Sequence, residues 1–218
     1  MNRCDDIVIS GATAWCSLGF GRAAILEAMC AGNVAIDRAP AMEQTDDECP
    51  RAAQATDVET PIGAVRDRAE RLVERVVALA LKEAGLDMHD ERRRRTIFGT
   101  TIGALRHVGE GLRTDDLDAL RCGTTATLTC NALQRLAVPA GGSTVSAACA
   151  SGLTSIMLGA VALRRGEVDV VVAVGYDPIS EFPHAGFLSL RLVAEGPIRP
   201  FTKDREGMRV GEGAAAIV

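Results

Sequence analysis

Aromatic side chains are scarce in this 218-residue chain: one Trp, one Tyr and five Phe amount to 3%, against 47% hydrophobic residues in all. A core with so few rings must be aliphatic and alanine-rich, which disfavours aromatic-girdled barrels and predicts an α/β fold of helix-covered sheets. Long apolar runs are missing too, none reaching the roughly 18 residues that a membrane span needs. The start, Met1 to Asp6, has no cationic stretch leading into an apolar one, so no secretory signal is expected. There is no excess of basic charge: the net charge is −5, which offers no general attraction to nucleic acid or anionic membranes. An acidic protein partner would need a local basic patch. Paired cysteines are also lacking. The seven, at positions 4, 16, 30, 49, 122, 130 and 149, are odd in number, form no C-x-x-C and have no histidine at ligand spacing. That pattern opposes both a zinc site and a disulfide framework and fits a reducing cytoplasm.

What is present alternates between strand-like and helix-like segments. Asp6-Ile-Val-Ile-Ser10 reads as a β-branched strand, followed by an alanine-rich helix from about Arg22 to Ala31 that ends at Gly32-Asn33. Between Ile36 and Pro61 the periodicity vanishes, as in a surface excursion. From Arg68 to Ala84 the set Leu72, Val73, Val76, Val77, Ala80 and Ala84 marks one helix face, with Glu70, Glu74, Arg75, Lys82 and Glu83 on the wet side. Arg92 to Arg95 is a basic run, either a solvated edge or a patch for an acidic partner. Thr96 to Thr101 reads as a strand, and helices are expected after Gly103 and from Thr129 to Ala137, before Val138-Pro139. Val168 to Val174 is the strongest strand signal; its continuous apolar character predicts burial on both faces in a parallel or mixed sheet. Gly175 to Arg199 reads as a long irregular loop, and Gly211 to Val218 as the start of a strand. That strand meets the last residue without a polar tail, which raises the expectation of a piece of a longer domain.

The chemistry concentrates in Val145-Ser-Ala-Ala-Cys149-Ala-Ser-Gly-Leu153. A short apolar run, Ser143 to Ala148, meets the cysteine, and Leu153, Ile156, Met157, Ala160, Val161 and Leu163 then recur at helical spacing. Cys149 thus sits at a strand-to-helix turn, beside unpaired backbone N–H groups and the positive end of a helix dipole, a setting that stabilises negative sulfur. The small residues around it let a substrate carbonyl approach sulfur and N–H groups together. Buried cysteines also serve as small hydrophobes, and no base is found nearby.

Four stretches together resemble the N-terminal half of the β-ketoacyl synthases, the condensing enzymes of fatty-acid and polyketide synthesis. They are Ile7-Val-Ile-Ser-Gly11 through Leu18-Gly19, Gly99-Thr-Thr-Ile-Gly103, Val145 to Gly152, and Arg199-Pro-Phe-Thr-Lys-Asp-Arg-Glu-Gly207 through Gly211-Glu-Gly213. The resemblance covers residues 1–218 and implies a thiolase-like layered α/β/α fold whose mixed central sheet is covered by helices, with the C-terminal half absent. It implies acyl transfer from a carrier-protein thioester to Cys149, whose own N–H is one oxyanion donor, then decarboxylative condensation with a malonyl unit. It also implies acyl-pocket roles for Ile102 and Phe187, acyl carrier protein as partner, a homodimer or ketosynthase heterodimer, and no cofactor. The family's two catalytic histidines, a lysine and the second oxyanion donor lie in its other half. His89, His107 and His184 match none of them and read as structural or surface residues. Thr202 stands where the family more often has aspartate. A non-catalytic, chain-length-factor-like subunit is the alternative, weakened by the retained cysteine; a thiolase is a third reading, opposed by the Lys203 to Gly207 turn and Gly211-Glu-Gly213.

Overall fold

The computed structural model describes residues 6–39, 50–55, 67–86, 92–136 and 142–218. In chain order its elements are β1 (Ala12–Cys16), β2 (Gly19–Phe20), α1 (Arg22–Cys30), β3 (Asp37–Arg38), β4 (Arg51–Ala52), α2 (Asp67–Glu83), β5 (Arg94–Gly99), α3 (Leu105–Thr114), α4 (Leu117–Cys122), α5 (Thr125–Arg135), β6 (Gly142–Val145), α6 (Ser151–Arg164), β7 (Val170–Asp177), α7 (Glu181–Ser189) and β8 (Gly213–Ile217). Six strands form one mixed sheet in the order β2-β1-β8-β7-β5-β6. β5 runs parallel to β6 and β7, while β8 is antiparallel to both β7 and β1.

Alternation along the strands sends side chains to two separate cores. Phe98, Val172, Val174, Tyr176, Ala214 and Ala216 face α2 and α5, where they meet the α2 stripe Leu72, Val73, Val76, Val77 and Ala80. That stripe is fully buried as its periodicity predicts, and each of its leucine and valine side chains contributes about 1.5–3 kcal/mol by leaving water. Ile97, Val171 and Ala173 face the other way, towards α6 and Ala162. The Val168 to Val174 signal is therefore a strand buried on both faces, shifted in register to Val170–Asp177.

Several sequence-based expectations need correction. Ile7, Val8 and Ile9 are exposed and lie outside any strand; the strand begins at Ala12, after Ser10 and Gly11, which exchange backbone hydrogen bonds with Val218. The excursion after Ile36 holds a short ribbon of β3 and β4. Glu70 is not on a wet face: it is buried against Asn131 (3.1 Å) and Arg135 (2.8 Å) of α5. The long loop after Gly175 contains α7, capped by Ser180; Pro183 lies in its first turn, where a missing N–H costs nothing, so it does not break the helix. The α6 face is also reversed. Its buried side consists of Ser151, Ser155, Gly159 and Ala162, while Leu153 and Met157 are 72% and 56% exposed. His89 and Val138-Pro139 fall outside the described residues, among which no helix is long and apolar enough to cross a membrane.

The two sides of the fold are pinned by a buried ion pair. Glu212, just before β8, accepts from Arg68 Nε of α2 (2.6 Å), from Arg68 Nη2, and from the backbone N–H groups of Ala55 (3.0 Å) and Ile179 (2.9 Å). Both charged side chains are buried. Removing one member leaves an uncompensated buried charge, so Glu212→Ala is expected to lose about 3–5 kcal/mol. Urea unfolding followed by the fluorescence of Trp15, the single tryptophan and itself buried, measures it.

Candidate active site

Cys149 stands between the end of β6 and the first turn of α6, as the sequence predicts. The turn is strained: Ala148 adopts φ +48°, a left-handed conformation that costs an L-residue about 1–2 kcal/mol. Local hydrogen bonds hold it there. Ser151 Oγ accepts from the Ala147 N–H (2.9 Å) and donates to the Ala148 carbonyl (2.6 Å), which also accepts from the Ser151 N–H (3.0 Å). Ala150 N–H donates to the Ala147 carbonyl (3.0 Å). A further donor comes from another strand. Thr101 Oγ1, beyond the end of β5, reaches the Ala148 carbonyl at 2.8 Å.

Thr101 is seated in turn by the last residue of β7. One oxygen of Asp177, Oδ1, accepts from Thr100 Oγ1 (2.7 Å), the Thr101 N–H (2.9 Å) and the Ile102 N–H (2.8 Å). Beside it, burial pushes the Tyr176 phenol well above its ordinary range, and the Asp177 carboxylate adds to that shift. Tyr176 therefore remains a neutral phenol at physiological pH and supplies no base. The helix start can come this close to the strands because the contact is made of glycine. A Cβ on Gly99 would overlap the Ser151 carbonyl, and Gly152 faces Gly175 across the same gap.

Cys149 is exposed at a cavity of about 400 Å³ on the α6 side of the sheet, lined also by Thr101, Gly152, Gly175, Cys16 and Gly213. The structure brings Cys149 and Thr101 together there. Ile102 and Phe187 are half-buried and lie outside that lining, Ile102 in the turn held by Asp177 and Phe187 in α7. His107 and His184 are buried, in α3 and α7. The Arg199 to Gly207 segment is a turn in which Thr202 Oγ1 donates to the Arg199 carbonyl (2.9 Å) and Arg199 holds the Asp204 carboxyl below its usual range. The threonine thus closes the turn itself. Of the Arg92–Arg95 run, Arg93 pairs with Asp169 (2.8 Å) and Arg95 with Glu167 (2.9 Å), so these two bind their own chain. Sequence reasoning passed over Thr101, Asp177 and Ser151. The available signal was positional, since polar residues at the carboxyl ends of parallel strands are where α/β sites gather.

A mixed sheet with helices on both faces, and a cysteine at the strained turn into the helix that packs on β5 and β7, define a thiolase-like fold. Residues 4–218 match the family model "Beta-ketoacyl synthase, N-terminal domain". The chain belongs to the β-ketoacyl synthase family. It is 27% identical to nodulation protein E of Rhizobium leguminosarum bv. trifolii over 230 aligned residues, covering 97% of this chain and 57% of that protein. A shorter stretch, 36% identical over 87 residues, matches 3-oxoacyl-[acyl-carrier-protein] synthase 2 of Mycobacterium bovis, covering 36% of this chain and 21% of the other. Among solved structures, the ishigamide ketosynthase/chain length factor superposes with a TM-score of 0.83 at 24% identity, over 96% of this chain and 57% of that one. The chain therefore spans little more than half the length of relatives it matches from end to end.

The site makes a reactivity prediction. Cys30 ends α1, at the negative pole of a helix, and Cys130 lies within α5; both are exposed, as Cys149 is. Iodoacetamide at neutral pH is expected to label Cys149 about ten-fold faster than either. Peptide mass spectrometry over a time course gives the three rates.

Proposed function

We infer that this chain carries the acyl-accepting half of a β-ketoacyl synthase, with Cys149 as the nucleophile. The observation that carries this reading is an exposed cysteine at the start of α6, open to a cavity and framed by residues small enough to admit a thioester. Its sulfur attacks the carbonyl carbon of an acyl thioester on a carrier protein; a new sulfur–carbon bond forms and the old one breaks. The carrier leaves as a thiol, taking the proton that Cys149 gives up, and the acyl group stays on the enzyme. The Cys149 N–H serves as one donor to the oxygen on which charge develops. Ile102 and Phe187 are proposed to line the path of the acyl chain.

Decarboxylation of a malonyl unit calls for proton-handling groups at the cavity, and the two histidines among the described residues, His107 and His184, are buried and lie outside its lining. These 218 residues are proposed to act with a second half like that of the family. The apolar outer side of α6, with Leu153, Ile156 and Met157, supports such a covering layer. Edge strand β6, paired only with β5 among the described residues, supports assembly with another ketosynthase subunit, identical or not.

The test uses the 218-residue chain and an acyl-carrier protein thioester. Intact-mass analysis is expected to show one acyl adduct, mapped to Cys149 and lost in Cys149→Ala. Adding malonyl-carrier protein is expected to yield no 3-ketoacyl product. A chain that takes no acyl group would belong with the non-catalytic partner subunits, and one that completes the condensation alone would overturn the division of labour.

A further inference from the structure

We propose that Thr101 is a positioning residue for acyl transfer at Cys149, aiming the Cys149 N–H at the oxygen that gathers charge. The proposal rests on the acyl-transfer reading and adds a role to a residue outside the nucleophile turn. Its physical basis is the planarity of the peptide unit. In a trans peptide the carbonyl and the N–H of the same unit point in opposite directions, and the described chain contains no cis bond. Whatever fixes the Ala148 carbonyl therefore fixes the direction of the Cys149 N–H.

Three donors fix that carbonyl: the Ser151 N–H at 3.0 Å, Ser151 Oγ at 2.6 Å and Thr101 Oγ1 at 2.8 Å. The first two belong to α6 and would move with it. Thr101 is different in kind. It belongs to the turn after β5, and its own backbone is anchored by Asp177 at the end of β7, so it ties the peptide to the sheet. The Cys149 N–H is thereby directed away from Thr101 and Ser151. A residue in the left-handed region, as Ala148 is, has neighbouring conformations that rotate this peptide plane, and the hydroxyl from the sheet selects against them. Asp177 completes the device. Its single oxygen gathers Thr100, Thr101 and Ile102, so the same carboxylate that seats the hydroxyl also sets the start of the segment carrying Ile102.

This role separates two reactions of one sulfur. Alkylation by iodoacetamide needs an accessible thiolate and no oxyanion donor, whereas acylation by a thioester passes through a tetrahedral oxyanion. The experiment measures both at Cys149, in the 218-residue chain and its variants, using iodoacetamide and a hexanoyl thioester of N-acetylcysteamine. Thr101→Val is expected to slow acylation about 10- to 50-fold while alkylation changes less than about three-fold. Thr101→Ser, which restores the hydroxyl, is expected to recover acylation to within about three-fold of the wild type. Thr101→Ala removes the hydroxyl without adding bulk and serves in place of the valine variant if Trp15 fluorescence shows the latter to be disturbed. Equal loss in both reactions, or acylation unchanged in both hydroxyl-free variants, overturns the positioning role and leaves the acyl-transfer reading intact. A wild-type Cys149 that alkylates but accepts no acyl group overturns that reading and the role of Thr101 with it.

Discussion

The approach of α6 to the sheet sets the position of everything in the site. Helices pack on sheets at a distance decided by the side chains between them, and here those side chains have been reduced to almost nothing. Gly99 of β5 lies against the Ser151 carbonyl, Gly152 against Gly175, and Gly159 against Val171. With the N-terminal turn this close, a chain leaving β6 has to enter the helix through a sharp bend, and Ala148 takes the left-handed conformation that the bend requires. Cys149 follows immediately and is lifted to the cavity edge. The thiol is exposed because the helix behind it is pressed in.

A close approach of this kind also confines polar groups, and the fold answers with satisfied carboxylates. Asp177 and Glu212 sit at the same end of the sheet, one closing β7 and the other preceding β8. Each collects several donors: Asp177 takes the turn after β5, while Glu212 takes Arg68, Ala55 and Ile179. A buried ion pair is seldom a net gain over well-packed apolar groups, so the better account of Glu212 is geometric. It brings α2, the segment after β4 and the residues following β7 to one point, and its neighbours in sequence, Gly211 and Gly213, line the cavity.

The sequence made the sheet and its large helix legible because their signals were one-dimensional. Leu72 to Ala80 obeyed a single helical period, and Val170 to Val174 could only be a strand buried twice over. The placement of Cys149 was legible for a related reason, since a short apolar run ends before it and helical spacing begins after it. The misreadings share a cause as well. In α6 both sides are compatible with burial, one through small residues and the other through Leu153, Ile156 and Met157, and periodicity follows the large side chains. Tight contact with the sheet went to the small ones. Glu70 was misplaced because a carboxylate at a helix border is wet unless a partner reaches it, and Arg135 lies far away in sequence. Thr101 and Asp177 were invisible for the same reason: their partners are brought together only by the strand order.

On the reading proposed for Cys149, that strand order also gathers what acyl capture needs into one place. Acyl capture needs a sulfur, a donor for the oxyanion and an open approach, and all of these are properties of one turn and the strand ends beneath it. Decarboxylation needs proton-handling groups facing the acyl sulfur from across the cavity. The cavity beside Cys149 is lined by Ala14, Cys16, Gly213 and Ala215, which present small side chains and a thiol, and by Asp177, whose Oδ1 is occupied by Thr100, Thr101 and Ile102. His107 of α3 and His184 of α7 are buried and do not line that cavity. On the acyl-transfer reading proposed for Cys149, the first chemical step depends on contacts short enough for a single sheet to organise.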